Sequence, residues 1–436
     1  MRSTQLKPNQ TPARLERQES RDAIYQVQIH FVLKPAKARH ENADGPEISV
    51  RTRTQKRISR FFSSLLAGSI LLGMTLGCIA FGAEESRPEV IAAKPASGSV
   101  DESTLLTIYD EVRTPYKYGV VLKGSGKDEM VDCPSVFEKN GSWYMMYVAN
   151  DHKVGYQTFL ARSKDLLHWT KLGCVLPFSK SGWDAWQADG GVALVDPQWN
   201  GSHALGVYDG KYWLSFIGGA KQGYETDPLS LGLAWTLRPE QAEPWQRLAQ
   251  NPVLSPKQRD ARSFETKTIY KSQIICDPDR STGWPFVMYY NAKYKNGFEQ
   301  IGMAVSADMV HWQRYGADPV VRNGVVKKNG ISGDPQIVRI GKFWVMFYFG
   351  AGWHPRAFDT FAVSRDLVNW VQWNGPELVK PSEPYDHVYA HKPWVLKTGG
   401  VVYHFYCAVG NQGRVIALAT SKDLGHAPAD PNIAEP

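Results

Sequence analysis

Four acidic residues and one histidine begin short apolar segments that recur along the chain. They lie 57, 76, 69 and 57 residues apart: Asp132, Asp189, Glu265, Asp334 and His391. Carboxylates that converge on one place repel one another and are costly to desolvate, so a purely structural role does not need four of them. Cleavage of a glycosidic bond supplies a reason for such a set, because one carboxylate stays ionised, another donates a proton, and a third raises the pKa of the donor. The pattern therefore predicts acid–base chemistry on a sugar.

A short motif returns at positions that divide the chain into similar units. Ala-x-Ser-x-Asp begins at Ala161, Ala304, Ala362 and Ala419, and the first three copies continue to a Trp. The Asp residues of successive copies are 143, 58 and 57 residues apart, and the longest interval has room for one divergent copy. Because one active site cannot use four copies, we interpret the motif as a turn in which Ser and Asp bond to backbone N–H groups.

The segments between these turns have the composition of strands. Aromatic and β-branched runs follow Gly-containing turns at 141–147, 210–214 and 341–347, and no long helical period occurs between 115 and 425. Five units of short strands predict an all-β fold, a five-bladed β-propeller with a central funnel that holds the active site. The last unit lacks its outer strand, and residues 118–122 are predicted to supply it and to close the ring.

Composition separates an N-terminal leader from the predicted propeller domain, residues 105–430. Residues 1–60 contain 13 Lys and Arg against 6 Asp and Glu, whereas the remainder has 37 of each. The basic charge belongs to the leader, so the domain is not predicted to bind nucleic acid.

Residues 51–83 resemble a signal peptide, with basic residues before an uncharged run. Export to the periplasm or the exterior is therefore predicted. A lipoprotein site at Cys78 and a retained membrane anchor are the alternatives. Residues 1–50 form an extension, which a true start at Val50 would remove. Residues 84–104 are predicted to be a linker.

Four cysteines follow the predicted signal: Cys133, Cys174, Cys276 and Cys407. Their spacing fits no metal site, and buried free thiols are the favoured interpretation. A disulfide is the alternative, because export permits one.

The aromatic strands and the Ala-x-Ser-x-Asp-x-x-x-Trp repeat resemble those of the five-bladed β-propeller glycoside hydrolases. The resemblance spans residues 118–425 and is closest to family 43, with relatives in families 32, 62, 117 and 130. It implies that Asp132 is the general base and that Glu265 is the general acid of an inverting reaction. It also implies that Asp189 tunes the pKa of the acid. A phosphorylase, a retaining relative and a non-catalytic sugar-binding propeller are the alternatives.

The sequence departs from family 43 around the predicted acid. Glu265 is followed by Thr and Lys where family 43 commonly has Gly and Pro, and the motifs of β-fructosidases are absent. Lys267, Arg262 and Lys392 are predicted near the funnel and favour an anionic group on the substrate, although each could instead be paired with a carboxylate.

Further residues are predicted to bind substrate. Asp334 and His391 belong to the funnel. The resemblance gives His391 an alternative role beside an axial calcium ion, although no cofactor is predicted to be required. Residues on loops at the rim could contact sugar hydroxyls or stack on a ring: Asn150, Trp186, Asn291 and His354.

Overall fold

The structure is a computed structural model that describes residues 90–94, 98–126, 128–294, 297–323, 330–428 and 431. The predicted extension 1–50 and the predicted signal 51–83 lie outside these residues. Within the described part of the chain, no helix is both long and apolar enough to cross a membrane.

The segment predicted as a linker is partly docked on the domain. Ile91 donates its N–H to the carbonyl of Arg314 at 3.0 Å. Helix α1 (Glu102–Val112) begins within the same segment, and the Asp101 side chain caps it by accepting a hydrogen bond from the N–H of Thr104. The buried face of α1 packs on strands that are described below. Strand β1 (Tyr116–Leu122) follows directly.

The next strands form two antiparallel four-stranded sheets. The first contains β2 (Met130–Lys139), β3 (Ser142–Asn150), β4 (Gln157–Ser163) and β5 (Thr170–Leu176). The second contains β6 (Gln187–Val192), β7 (Tyr212–Gly219), β8 (Leu229–Thr236) and β9 (Gln246–Arg247).

A larger sheet contains the next eight strands, in two antiparallel groups of four. The groups are β10 (Thr268–Cys276), β11 (Phe286–Lys293), β12 (Glu299–Ser306) and β13 (Trp312–Arg314), then β14 (Ile331–Ile340), β15 (Phe343–Ala351), β16 (Phe358–Ser364) and β17 (Trp370–Gln372). In the described residues, β12 joins β14 through a parallel pairing of Glu299 with Ile331.

The last sheet takes its outer strand from the beginning of the domain. Its order is β1, β20 (Gly413–Thr420), β19 (Val401–Gly410) and β18 (Tyr389–Thr398). β1 runs antiparallel to β20, with Tyr116 opposite Thr420 and Leu122 opposite Ile416. The predicted pairing of residues 118–122 with the last unit is therefore present. The described residues form an all-β domain apart from α1 and two 3-10 turns.

The repeated motif forms the turn that was predicted for it. The Ser163 hydroxyl accepts hydrogen bonds from the N–H groups of Asp165 and Leu166, and Asp165 accepts from the N–H of His168 at 2.9 Å. The Trp169 ring nitrogen then donates to the carbonyl of Leu166. The copies at Ser306 and Ser364 make the same turn.

Candidate active site

Irregular backbone at the start of the inner strands brings the functional side chains together. The pairing of β2 with β3 shifts between Asp132 and Ser135, and comparable shifts occur in β14 and β18. Three register-equivalent residues stand at these shifts, each before a Pro and each with a positive φ: Cys133 at 49°, Asp334 at 51° and Lys392 at 64°. This conformation is costly for residues other than glycine and commonly marks a functional site.

Asp132 joins the first and last sheets through two buried cations. Its Oδ2 accepts hydrogen bonds from Lys392 Nζ at 2.9 Å, Arg414 Nη1 at 2.8 Å and the Tyr156 hydroxyl at 3.2 Å. Burial alone would raise the pKa of Asp132, but the charges of Lys392 and Arg414 hold it well below its usual value. Asp132 is fully buried, so its carboxylate contacts these protein groups and not solvent.

His391 lies beside the same arginine and is neutral. Burial and the charge of Arg414 together lower the pKa of His391 to about 3. Its Nδ1 donates to the carbonyl of Cys407 at 3.1 Å, which leaves Nε2 facing Arg414 at 3.4 Å. A guanidinium in that place repels a cation, so these residues do not fit the calcium ion predicted near His391. The described residues also contain no group of three or more metal-ligating side chains.

Asp189 is held by a lysine that the sequence did not identify. Lys271 Nζ, on β10, donates to Asp189 Oδ1 at 2.8 Å and to the carbonyl of Gly190 at 2.9 Å. Burial would lower the pKa of Lys271, but Asp189 raises it to about 12. The other oxygen of Asp189 is buried and has no hydrogen-bond partner among the described residues.

Glu225 is a second carboxyl group that the sequence did not identify. It lies in the loop between β7 and β8 with a φ of 44°, and its Oε1 is 3.7 Å from Lys392 Nζ. Burial is the main cause that raises its pKa to about 7, although Lys392 acts in the opposite direction. Three nearby carboxylates add to the rise: Asp189, Asp132 and Asp334. A carboxyl group in this environment is suited to donate a proton near neutral pH.

Asp334 is partly exposed, as Glu225 is, whereas Asp132, Asp189 and Glu265 are buried. Its Oδ2 is 3.6 Å from the Cys133 thiol, which can donate to it. Burial raises the pKa of Asp334 to about 6, against the charges of Lys392 and Lys271. A water-sized space lies against it, lined also by Cys133, Lys271 and Lys392.

Glu265, the predicted acid, is paired with two buried arginines. It ends a 3-10 turn (Ser263–Glu265) before β10, and its side chain is fully buried. Arg262 Nη2 and Arg314 Nε each donate to it at 2.5 Å, and the Tyr290 hydroxyl donates at 2.6 Å. Burial would raise the pKa of Glu265, but the two arginines lower it. A group that loses its proton so readily is a poor proton donor, so the structure does not support this prediction.

Two solved structures are similar to this protein over almost their full length. One, described as a complex of BT0996 with RGII, is 42% identical, covers 76% of this sequence and 98% of its own, and has a TM-score of 0.73. The other, described as "Glycoside hydrolase", is 41% identical with the same coverage and TM-score. The protein belongs to the glycoside hydrolases. No family model and no curated protein matches it.

A more distant structure shares the fold. A thermostable family-43 glycoside hydrolase is 16% identical, covers 74% of this sequence and 98% of its own, and has a TM-score of 0.51, which shows a shared fold alone. The resemblance to the five-bladed β-propeller glycoside hydrolases is confirmed, and so is the prediction of a glycosidase.

Two of the predicted rim residues in this glycoside hydrolase are buried. Asn150 accepts a hydrogen bond from the N–H of Gly155 at 3.2 Å, which stabilises its loop. Asn291 donates to Glu299 at 3.2 Å and accepts from the N–H of Asp334 at 3.4 Å. Asn291 therefore positions the backbone of a funnel residue.

The other two predicted rim residues, Trp186 and His354, are exposed and have protein partners, and the same holds for Lys267, which was predicted near the funnel. Trp186 packs its ring against Phe178. His354 contacts Glu377 at 2.6 Å. Lys267 forms an ion pair with Asp227 at 3.1 Å.

The described cysteines of this glycoside hydrolase are all free. Cys133 is buried, and burial raises the pKa of its thiol well above the usual value, with a further contribution from Asp132. The favoured interpretation of buried thiols holds for Cys133 and Cys407, whereas Cys276 is exposed.

Proposed function

We propose that this glycoside hydrolase cleaves its substrate with Glu225 as the proton donor. The observation that carries the proposal is the position of the Glu225 carboxyl beside Lys392, where burial and three carboxylates raise its pKa to about 7. A carboxylic acid that stays protonated near neutral pH is what departure of a sugar oxygen needs.

Asp334 is the carboxylate that we propose as the general base. Asp132 and Asp189 each hold a buried cation and are almost inaccessible, whereas Asp334 is partly exposed and borders a water-sized space. A pKa of about 6 leaves Asp334 mostly ionised at neutral pH and still basic enough to accept a proton. Asp132 and Asp189 then position the two lysines that set the charge of the site.

The proposed reaction is a single displacement. Glu225 gives its proton to the glycosidic oxygen as the bond from that oxygen to the anomeric carbon breaks. A water molecule attacks the same carbon from the opposite face, and Asp334 takes the proton that this water loses. Solvent returns the proton from Asp334 to Glu225 before the next turnover. One displacement inverts the configuration at the anomeric carbon.

The proposed substrate is a plant-type oligosaccharide of the kind bound by the 42% identical structure, which is described as an RGII complex. The cations of the site offer little binding energy to the anionic substrate group that the sequence predicts. Lys392 contacts Asp132, Lys267 contacts Asp227 and Arg262 contacts Glu265, so each already has a carboxylate partner. A neutral sugar at the cleaved position fits this balanced charge better.

The test is incubation of the protein with RGII-derived oligosaccharides, with and without inorganic phosphate. We expect release of a free sugar without phosphate, and ¹H NMR of the first product should show the inverted anomer. A phosphorylated product would identify a phosphorylase. A retained anomer would exclude the single displacement, and binding without turnover would indicate a sugar-binding protein.

We further propose that the five groups of four strands are blades of a ring that β1 closes. The pairing of β1 with β20 and the two groups within the larger sheet support this arrangement. A protein truncated to start at residue 123 lacks β1 and should unfold at a lower temperature and less cooperatively. A protein that starts at residue 84 is the control. Equal melting curves would argue against closure by β1.

Export is proposed on the basic and apolar pattern of residues 51–83. Fractionation of expressing cells should place the mature protein outside the cytoplasm. A mature N-terminus found before residue 50 would contradict this proposal.

A further inference from the structure

A polar cleft opens beside the candidate active site, and Arg414 forms part of its wall. The cleft has a volume of about 950 Å³. Three segments line it: residues 123–130 without the undescribed residue 127, the pair His152 and Lys153, and residues 411–414 at the hairpin between β19 and β20. This volume lies at the upper end of the roughly 300–1,000 Å³ that is typical of a ligand site.

Three contacts connect this cleft with the candidate active site. Arg414 donates to Asp132 at 2.8 Å, and its guanidinium also lies 5.7 Å from the centre of the Tyr224 ring. Tyr224 directly precedes Glu225 in the sequence. The N–H of Gly223 donates to the carbonyl of Val154 at 2.8 Å, which attaches the Glu225 loop to the turn that carries His152 and Lys153.

The side chains of the cleft suit hydroxyl groups better than apolar or strongly charged ligands. Asn411, Gln412 and Ser125 are exposed donors and acceptors. Basic residues are balanced by Asp128 and Glu129 on the same surface, so the lining has little net charge to attract an anion. Amide and hydroxyl groups of this kind hydrogen-bond to sugar hydroxyls.

Tyr224 provides an apolar surface beside Arg414, a residue of the cleft wall. The side chain is 40% exposed, with the edge of Tyr156 at 5.6 Å between ring centres. A partly exposed aromatic ring that is already oriented by its neighbours can stack on the apolar face of a sugar at little cost in conformational entropy.

We propose that this cleft binds further neutral sugar residues of the substrate, beyond the residue that is cleaved at Glu225. Tyr224 stacks on the first of them, and Asn411 and Gln412 hydrogen-bond to the next. The inference rests on the proposed function, because it assigns additional subsites to the same reaction. It makes the enzyme selective for an oligosaccharide over a simple glycoside.

The test measures the kinetics of three variants, Gln412→Ala, Tyr224→Ala and Tyr224→Phe, on two substrates. One is an RGII-derived oligosaccharide that the wild type cleaves, and the other is an aryl glycoside of the same terminal sugar. For the oligosaccharide, we expect Gln412→Ala to raise KM about threefold to tenfold, which corresponds to the loss of one or two neutral hydrogen bonds. Tyr224→Ala should act more strongly, whereas Tyr224→Phe keeps the ring and should resemble the wild type.

The controls separate this inference from the proposed function. Gln241→Ala alters an exposed glutamine in a different turn and should leave KM unchanged for both substrates. Gln412→Ala should change KM for the aryl glycoside less than KM for the oligosaccharide. If Gln412→Ala and Tyr224→Ala both leave the oligosaccharide KM unchanged, or change both substrates equally, the cleft proposal is overturned while the hydrolase assignment stands.

Binding provides a readout that does not depend on turnover. Calorimetric titration of Glu225→Gln with the same oligosaccharide should show an affinity that falls when Gln412→Ala is added. An unchanged affinity in the double variant overturns the cleft proposal. Failure of the wild type to cleave either substrate, with this binding intact, overturns the proposed reaction and leaves the subsites supported.

Discussion

Replacement of Glu225 by glutamine should lower kcat/KM on an unactivated glycoside by about 10²–10⁴-fold, the usual contribution of a general acid or base. The amide has no proton to give to the leaving oxygen. An aryl glycoside whose leaving group needs no protonation should therefore keep much more of its activity. The fold should survive, because the Glu225 carboxylate contacts the protein through a 3.7 Å ion pair with Lys392. Steady-state kinetics on both substrates measure the effect.

The pH profile gives the matching control for this variant. Since Glu225 must be protonated and its pKa is about 7, wild-type kcat/KM should fall as the pH rises through this region. Asp189→Asn removes a charge that raises this pKa and should move the alkaline limb to lower pH. Full activity of Glu225→Gln on the unactivated glycoside would exclude Glu225 as the acid.

Glu265→Gln serves as the comparison for the acid that the sequence predicts. It breaks a buried network with Arg262 and Arg314, which typically costs about 3–5 kcal/mol of stability. Its melting temperature should fall while the alkaline limb stays in place. A Glu265→Gln protein that is stable but loses its alkaline limb would restore Glu265 as the proton donor.

Asp334→Ala should reduce kcat by a comparable factor of about 10²–10⁴ and should be rescued in part by added formate or azide. A small anion can enter the space left by the carboxylate and either accept the proton of the attacking water or attack the anomeric carbon itself. Because Asp334 is partly exposed and no described cation lies within ion-pair distance of it, the variant should remain folded. Product formation against anion concentration measures the rescue.

Asp132 should respond differently to the same treatment. Its removal leaves Lys392 and Arg414 buried without their shared carboxylate, so Asp132→Ala should lose stability as well as activity. Anions should not restore its turnover to the level of rescued Asp334→Ala. Rescue of Asp132→Ala alone would return the role of base to Asp132, as the sequence predicts.

The repeat allowed most of the strand order to be predicted, because the same local hydrogen bonds form wherever the motif occurs. Ser163 and Asp165 satisfy the backbone of one turn, and the Trp that follows closes it. Such interactions lie within a few residues and leave a clear pattern in the sequence. The pairing of residues 118–122 with the last unit was likewise predictable from a missing strand.

The functional side chains were predicted less well, because the backbone is irregular where they lie. In β2, β14 and β18, a shift in pairing places Asp132, Asp334 and His391 near the expected position. In the third group, a 3-10 turn precedes the strand, so Glu265 is bound by Arg262 and Arg314, and Lys271 is the residue that contacts Asp189.

The repeat did not identify Glu225 or Arg414 as residues of the site. Glu225 lies on a loop with a positive φ, and Arg414 follows a hairpin, so neither occupies a position that the other units share. Their approach to Asp132 and Lys392 depends on contacts between distant segments. A polar residue on a loop between two strands of one unit was the available clue, and many residues fit that description.

The pairing of β1 with β20 joins residues that lie 304 positions apart, Tyr116 and Thr420. The ribosome makes one partner near the start of the domain and the other near its end. The last sheet therefore cannot be completed during most of synthesis, and β1 remains unpaired until β20 has been made. Such distant pairing slows folding. A polypeptide that remains incompletely folded until its C-terminus emerges is also one that a translocation channel can still accept in an extended form.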